Sequence, residues 1–507
     1  MQTVVYVIIG AYLLMMVVIG FLFSKKSENA SGYFLGNRKL GPWVTAMSAE
    51  ASDMSSWLLM GLPGVALAAG LAEAGWTAIG LGIGTYLNWL LVAKRLRIYS
   101  HRIDAVTVPE FFKKRFGDES GILCAISALV IIVFFIPYAA SGFNACGTLF
   151  SALSGGKIPY LTAMLISAVV IAAYTTLGGF LAASTTDLIQ SIVMTVALMA
   201  VVFFGIRFAG GWQSVVDNAR ALPGYLAMTS TYDAAANGVV PYGGLTIAST
   251  LAWGLGYFGM PHILLRFMAI RDASQLRTSR RIATVWVFIA MTVAILIGVI
   301  GGAAVRSGNI PLAIGDSQRI IIEIAKKMTE NGLLPAILAG IILSGILAST
   351  MSTADSQLLA ASSSISNDML THVFRVKLSQ KTVMIISRAT ILVIALIAMY
   401  MARTESSVFR IVSFAWAGFG AAFGPVMLLA LFWKRTNKYG AIAGMLSGGA
   451  MVFIWKYVIS KLGGLFAIYE LLPAFITGLI VTVVVSLLTK APDKSLTDTF
   501  ETVSREF

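Results

Sequence analysis

One short stretch decides how this chain folds: residues 48–64 read SAEASDMSSWLLMGLPG. The stretch lies in an apolar segment long enough to cross a bilayer, for which about 20 residues are needed. It nevertheless contains the carboxylates of Glu50 and Asp53, together with four serines. A carboxylate near the bilayer midplane costs about 2.5–3.5 kcal/mol, so such a residue indicates a functional site. Asp53 is the better candidate, because Glu50 lies nearer the end of the segment, where water can solvate it.

The rest of the chain has the composition of a helical membrane protein. Of its 507 residues, 58% are hydrophobic and only 12% are charged, whereas a soluble domain has about 25% charged residues. Apolar runs of span length recur throughout, without the alternating pattern of a transmembrane barrel. The net charge of +14 does not indicate nucleic-acid binding, because the basic residues lie in short loops between apolar runs. The two cysteines lie inside apolar runs and predict no disulfide framework.

The apolar runs predict an all-α polytopic protein with thirteen membrane spans in one transmembrane domain, residues 1–490. A cytoplasmic tail is predicted at 491–507. The predicted spans are 3–23, 43–69, 74–95, 121–148, 158–179, 186–209, 243–267, 282–305, 334–363, 382–402, 408–432, 440–460 and 469–489.

Lysine and arginine are concentrated in one set of alternating loops, which the positive-inside rule places in the cytoplasm. The N-terminus is then predicted outside and the C-terminus inside, as an odd number of spans requires. The basic residues on the cytoplasmic side include Lys25, Lys26, Arg38, Lys39, Lys94, Arg95, Arg97, Arg102, Lys113, Lys114, Arg115, Arg266, Arg271, Arg277, Arg280, Arg281, Arg375, Lys377, Lys381, Lys434, Arg435 and Lys438.

Two of the predicted spans are interrupted at matching places. Span 7 reads WGLGYFGMPHILLRF at 253–267, and its glycines and proline disfavour a continuous helix. Spans 2 and 7 are five apart, and such pairs indicate an inverted-repeat transporter with its site at the breaks. The repeats would be 43–209 and 243–432, with additions at 1–42 and 440–489. The alternative is that glycine and proline are simply frequent in membrane helices.

Span 9 carries a run of hydroxyls, ASTMSTADSQLLAASSS at 348–364. Ser349, Ser352 and Thr353 share one helix face, and neutral oxygens suit a cation such as sodium; hydrogen bonding between helices is the alternative. Asp355 either tunes such a site or pairs with a basic residue such as Arg388. Asp187, in STTDLIQS, is either functional or a carboxylate favoured at a helix N-terminus.

Three aromatic residues of the predicted spans are further candidates: Tyr138 in span 4, and Trp253 and Tyr257 in span 7. Each has a flat apolar face and a polar group, which suits a small ring or cation. Ordinary packing is the alternative.

At these motifs the sequence resembles the sodium/solute symporter family, most closely its bacterial sodium/proline symporter branch. The resemblance runs in order from Gly36 to Pro425 and so covers nearly the whole chain. The stretches that carry it are GNRKLGPWVTAMSAEASDMSSWLLMGLPG, TLGGFLAASTTDLIQS, WGLGYFGMPHILLRFM, MSTADSQLL and SFAWAGFGAAFGP.

The resemblance implies a leucine-transporter-type fold of five plus five spans and coupled uptake of sodium and L-proline. It implies a sodium site made of the backbone carbonyls of Ala51, Met54 and Ser349 and the hydroxyls of Ser352 and Thr353. It implies sodium-coupling roles for Asp53, Ser55 and Asp187, a functional role for Arg38, and a solute pocket of Ser55, Ser56, Tyr138, Trp253, Tyr257 and Pro261.

The sequence departs from the family pattern at two positions. Ser56 stands where the motif S-D-M-S-G has glycine, beside the solute region, and can shrink or re-tune the pocket. Asp355 stands where the enterobacterial carrier has serine, and an extra acid there can alter cation affinity or stoichiometry. Both departures bear on the solute more than on sodium.

Other functions are compatible with parts of this pattern. A symporter of the same fold could carry another amino acid, pantothenate or a carboxylate. A proline sensor would be expected to carry a signalling domain, and an intramembrane enzyme would need a nucleophile–base set or metal ligands, so no enzyme activity is expected. The expected partners are L-proline, sodium and the lipid bilayer of a bacterial plasma membrane, without nucleic acid. The sequence does not indicate an oligomeric state.

Overall fold

Helices make up most of the protein. The structure is a computed structural model that describes residues 1–24 and 30–506, so Lys25 and Lys26, which entered the orientation argument, lie outside the described residues. Within the described part, ten helices are long and apolar enough to cross a membrane. The chain is therefore a polytopic helical membrane protein.

The first half of the chain contains ten helices within the described ranges. Turns of π-helix at Trp57–Gly61 and Asn88–Ala93 lead into α4 and α6. The helices are α1 Gln2–Ser24, α2 Ala30–Leu35, α3 Pro42–Asp53, α4 Leu62–Ala69, α5 Leu71–Leu87, α6 Lys94–Arg102, α7 Val108–Phe116, α8 Ile122–Leu153, α9 Tyr160–Phe208 and α10 Trp212–Ala221.

The second half begins with a small antiparallel hairpin of β1 Ser230–Asp233 and β2 Gly238–Pro241. A 3-10 segment, Ala252–Gly259, joins its first two helices. The helices are α11 Gly244–Leu251, α12 Pro261–Ala269, α13 Leu276–Arg306, α14 Ile320–Met328, α15 Leu333–Ser363, α16 Gln380–Met401, α17 Val408–Phe432, α18 Lys438–Tyr457, α19 Leu471–Leu488 and α20 Lys494–Ser504.

Predicted spans 5 and 6 follow one another in α9 without a loop. Gly179 has a φ of 66° inside this helix, which glycine adopts without strain, and the chain bends there. Asp187 lies about two turns beyond this bend, inside the helix. The alternative interpretation of Asp187 as a carboxylate at a helix N-terminus was therefore wrong.

The break predicted in span 2 lies between α3 and the turn that leads into α4. Helix α3 ends at Asp53, and Met54 adopts a non-helical ψ of 66°. The carbonyl of Asp53 accepts hydrogen bonds from the amide of Ser55 at 2.8 Å and the indole of Trp57 at 3.1 Å. Serine and aspartate side chains favour such local bonds over continued helix. The polar run therefore interrupts the helix in the protein interior.

The break in span 7 has a different cause. The glycines of Ala252–Gly259 permit close helix contact, since a Cβ on Gly254 would overlap the backbone of Gly80, and one on Gly256 would overlap the Trp416 ring. The carbonyls freed by the break are taken by side chains. Trp416 Nε1 donates to the carbonyl of Trp253 at 2.7 Å, and an asparagine of the preceding half, Asn88, donates to that of Tyr257 at 3.0 Å.

The C-terminal segment, predicted from the sequence as a tail, contains a docked helix, α20. In α20, Phe500 and Val503 are 8% and 3% exposed. Phe500 lies 5.0 Å from the guanidinium of Arg115, and Glu501 forms an ion pair with Lys434 at 3.0 Å. The apolar face of α20 therefore packs on the ends of the membrane helices.

Candidate functional site

The break of span 2 lies against the hydroxyl face of α15. Ser352 Oγ donates to the carbonyl of Ala51 at 2.7 Å. The carbonyl of Ser349 accepts from Ser352 at 3.2 Å and from Thr353 at 3.1 Å. Met54, at the break, and all four of these residues are buried. The structure thus brings Ala51, Ser349, Ser352 and Thr353 together as neutral oxygens, the chemistry that a hard monovalent cation requires.

Asp53 lies beside this group of oxygens, fully buried. Its Oδ2 accepts a hydrogen bond from the hydroxyl of Tyr257 at 2.6 Å, and its carbonyl accepts one from Tyr138 at 3.3 Å. Its Oδ1 has no hydrogen-bond partner among the described residues, and no basic side chain there forms an ion pair with it. Asp53 is therefore a buried acid that two tyrosines position and no fixed cation neutralises.

A layer of aromatic rings covers this region. The ring of Trp253 lies 5.1 Å from Tyr469, 5.3 Å from Phe409 and 6.2 Å from Trp57. Trp253 also lines a cavity of about 580 Å³, whose wall includes Glu73 and other polar residues. Asp53, Tyr138 and Tyr257 do not line that cavity, so the aromatic layer separates it from the buried site.

The remaining predicted solute residues are placed less closely. The hydroxyl of Ser55 accepts from the amide of Trp57 at 3.4 Å. Ser56 is buried, and its hydroxyl has no hydrogen-bond partner in the described chain, which leaves it available to a ligand. Pro261 is buried at the first turn of α12, and the structure gives it no polar contact with the other solute residues.

A second polar cluster surrounds Asp187. Its Oδ2 accepts from Ser48 Oγ at 2.6 Å and lies 3.2 Å from Arg266 Nη2. Arg266 Nη2 also donates to Ser356 Oγ at 2.5 Å, and Ser356 donates to Asp355 Oδ1 at 3.1 Å. Arg266 is 1% exposed. The cluster therefore ties α3, α9, α12 and α15 together around one buried arginine.

Two interpretations from the sequence are corrected by this arrangement. Arg266 was counted among the basic residues of a cytoplasmic loop, but it lies within α12 as the counter-ion of Asp187. An arginine inside an apolar run such as 253–267 was the signal that could have found it. Glu50 was expected near water, but it is 1% exposed and accepts a hydrogen bond from Trp89 Nε1 at 2.9 Å.

Arg38 is outside the membrane-spanning helices and joins three segments. It donates to the carbonyl of Met268 at 2.7 Å, that of Ala105 at 2.6 Å and that of Ser100 at 3.2 Å. Burial, with the nearby charge of Arg97, lowers the pKa of Arg38 to about 10, so the side chain stays charged at neutral pH. Arg38 therefore fixes the end of α12, at Met268, to the segment 100–105.

The fold is shared with a membrane transporter of known structure. A solved structure described as "Substrate-bound outward-open state of a Na+-coupled sialic acid symporter reveals a novel Na+-site" matches 97% of this chain and 99% of that chain, with a TM-score of 0.76 and 17% identity. The likeness shows a shared leucine-transporter-type fold. Residues 33–448 match the sequence pattern of the family described as the sodium:solute symporter family. This chain belongs to the sodium:solute symporter family.

Two relatives match almost the whole chain. A "Sodium/proline symporter" of Haemophilus influenzae is 43% identical, covering 98% of this chain and 97% of the relative. The "Osmoregulated proline transporter OpuE" of Bacillus subtilis is 40% identical with the same shares of both chains.

Proposed function

We propose that this protein imports L-proline across the bacterial plasma membrane by sodium-coupled symport. The observation that carries the proposal is the contact of Ser352 with the carbonyl of Ala51, because it joins the break of span 2 to the hydroxyl face of α15. The relatives named for proline transport match the chain end to end, which supports proline as the solute.

Sodium binds, in this proposal, among the carbonyls of Ala51, Met54 and Ser349 and the hydroxyls of Ser352 and Thr353. Five neutral oxygens can replace the water shell of the ion and later release it. The carboxylate of Asp53, which forms no ion pair with a basic side chain in the described part of the chain, adds a negative charge that attracts the cation. Binding there holds the end of α3 against α15.

Proline binds next to the ordered break. Its ring packs against Tyr138, Trp253 and Tyr257, which supply apolar faces, with Pro261 closing the pocket at α12. Its carboxylate accepts hydrogen bonds from the unpaired hydroxyl of Ser56 and from Ser55. Trp253 lies between the cavity and Asp53, so its side chain gates the passage of the solute from the cavity to the buried site.

Coupling requires that binding at the sodium site changes the affinity of the proline pocket, and the reverse. Asp187 takes part through Ser48, since a shift of α3 at Ser48 changes the contacts of Arg266 and Ser356 on two other helices. Asp355, which lies next to Ser356 on α15, adjusts the charge near the cation. One sodium ion crossing 100 mV yields about 2.3 kcal/mol, and a tenfold gradient adds about 1.4 kcal/mol. Together they sustain a few-hundred-fold accumulation of a zwitterion, at about 1.4 kcal/mol per tenfold.

The proposed topology has thirteen spans, with the N-terminus outside and α20 in the cytoplasm. Spans 2–6 and 7–11 form the two inverted repeats, and the breaks of spans 2 and 7 face each other at the site. The docked α20 lies on the cytoplasmic side under this topology.

The test is uptake of radiolabelled L-proline into proteoliposomes under an inward sodium gradient, compared with an equal potassium gradient. Accumulation that requires sodium and is reduced by unlabelled proline, but not by pantothenate or other amino acids, supports the proposal. Uptake that is equal under both gradients, from protein shown to be folded, would refute sodium coupling. Sodium-driven uptake of a different solute would refute proline alone.

A further inference from the structure

A second concave surface lies on the outside of the helix bundle and, unlike the polar site, is lined mainly by apolar side chains. It is an apolar groove of about 600 Å³ between α3, α9 and α13. Its walls are two stripes at helical spacing, Leu188, Ile192 and Val196 on α9 and Arg281, Val285 and Ile289 on α13, and Trp43 and Met47 on α3 complete it.

The groove has a charged end and an apolar end. Arg281 lies within two turns of the start of α13, and Ser279, two residues earlier, donates to the carbonyl of Pro42 at 2.9 Å. This bond fixes the start of α13 next to the start of α3, where Trp43 is 61% exposed. Val285 and Ile289, 59% and 51% exposed, continue away from Arg281 over about 12 Å of helix.

The floor of the groove is fixed. Trp286 Nε1 donates to Thr195 Oγ1 at 2.9 Å, which joins α13 to α9 at the bottom of the groove. No acidic side chain lines the groove in the described part of the chain. An occupant therefore meets a cation at one end, an aromatic ring beside it, and aliphatic walls beyond.

We propose that this groove binds one anionic phospholipid, with its phosphate at Arg281 and an acyl chain along Val285 and Ile289. Arginine pairs with phosphate through two parallel hydrogen bonds, and exposed tryptophan favours the headgroup level of a bilayer. The order of cation, tryptophan and aliphatic wall matches the order of groups along a phospholipid.

The groove is linked to the polar site through two helix turns. Met47 and Leu188 line the groove, and their chain neighbours Ser48 and Asp187 form the 2.6 Å hydrogen bond of the second polar cluster. A lipid in the groove therefore supports, from outside, the contact between α3 and α9 that Arg266 holds from inside. The bound lipid would stabilise the folded bundle and favour uptake.

The test compares lipid binding by the purified full-length protein in detergent, measured by native mass spectrometry and by the midpoint of thermal unfolding. Phosphatidylglycerol is expected to bind and to raise the midpoint more than phosphatidylcholine does. The substitution Arg281→Gln should weaken phosphatidylglycerol binding about fivefold, the value of about 1 kcal/mol for one basic residue near an anionic surface. Arg277→Gln is the matched control, since this exposed arginine of the same helix does not line the groove.

A second variant tests the apolar part. Val285→Trp fills the groove, and should remove the difference between the two lipids while Arg281 remains. Equal stabilisation of the unsubstituted protein by both lipids would overturn the proposal. So would an equal loss of phosphatidylglycerol binding in Arg277→Gln and Arg281→Gln, which would mean a diffuse attraction to basic loops.

Discussion

Two buried aspartates, Asp53 and Asp187, differ in whether the fold gives them a basic partner. Both are fully buried and both lie beside α3 or on it. Asp187 has a fixed counter-ion, Arg266, at 3.2 Å, and the same carboxylate oxygen accepts a hydrogen bond from Ser48 Oγ at 2.6 Å. Asp53 has a tyrosine hydroxyl at 2.6 Å and, in the described part of the chain, no basic partner.

The difference indicates two kinds of buried acid. A buried ion pair neutralises its own charge, and losing one partner is strongly destabilising because the other charge is left alone. An acid without a fixed partner needs a cation or a proton from outside. We therefore expect substitutions around Asp187 to act first on stability, and substitutions around Asp53 to act first on the dependence on sodium.

The largest expected effect is on stability, in Arg266→Ala. This change leaves Asp187 buried without a counter-ion and should lower the free energy of unfolding by about 3–5 kcal/mol. Thermal unfolding of the purified protein measures it, with Arg271→Ala in the exposed loop after α12 as the control. An Arg266→Ala protein as stable as the control would break the comparison.

The next effect is on sodium, in Asp53→Asn. The amide keeps an oxygen that can accept the hydrogen bond of Tyr257, so the fold should persist. Loss of the charge should raise the sodium concentration for half-maximal uptake about tenfold or more, since a buried charge attracts a nearby cation by more than about 1.4 kcal/mol. Sodium titration of proline uptake measures it. An unchanged sodium dependence would remove Asp53 from the cation site.

A smaller effect is expected from Ser352→Ala. Loss of one neutral oxygen is worth about 1 kcal/mol, so the half-saturating sodium concentration should rise about fivefold, with little change in protein abundance. Ser362→Ala is the matched control, because among the described residues that buried hydroxyl bonds only the carbonyl of Leu359 in its own helix. If both variants lose only abundance, the hydroxyls of α15 serve packing.

The smallest effect should fall on the solute, in Trp253→Phe. A smaller ring without the indole N–H should raise the KM for proline about threefold, within the range of one aromatic contact, at unchanged sodium dependence. Trp212→Phe, at an exposed tryptophan of α10, is the control. A shift in sodium dependence with no shift in KM would place Trp253 outside the solute pocket.

Much of the fold was predictable because its signals are local. Glycine, proline and serine runs at 48–64 and 253–267 predicted the two breaks, and the spacing of Ser349, Ser352 and Thr353 predicted their shared face. The tertiary contacts that give these groups their roles were not predictable. Whether a freed carbonyl stays open depends on distant side chains, and Trp416 closes that of Trp253.

The charges of the second cluster were the hardest to predict. Span boundaries derived from hydropathy placed Arg266 at the end of span 7, where a loop arginine and a buried counter-ion have the same sequence signal. Only the packing of α12 against α3 and α9 distinguishes them. The docking of α20 was missed for a similar reason, since Phe500 and Val503 are two apolar residues in a polar tail.

The central claim is that the cation held at the break of span 2, beside Asp53, prepares the solute pocket. The most direct measurement is the equilibrium Kd for proline on the purified protein, in sodium and in potassium, for the unsubstituted chain and for Asp53→Asn. Sodium should tighten proline binding about tenfold in the unsubstituted chain, within the usual range of coupling between two sites, and hardly at all in Asp53→Asn. Equal tightening in both proteins would contradict the account.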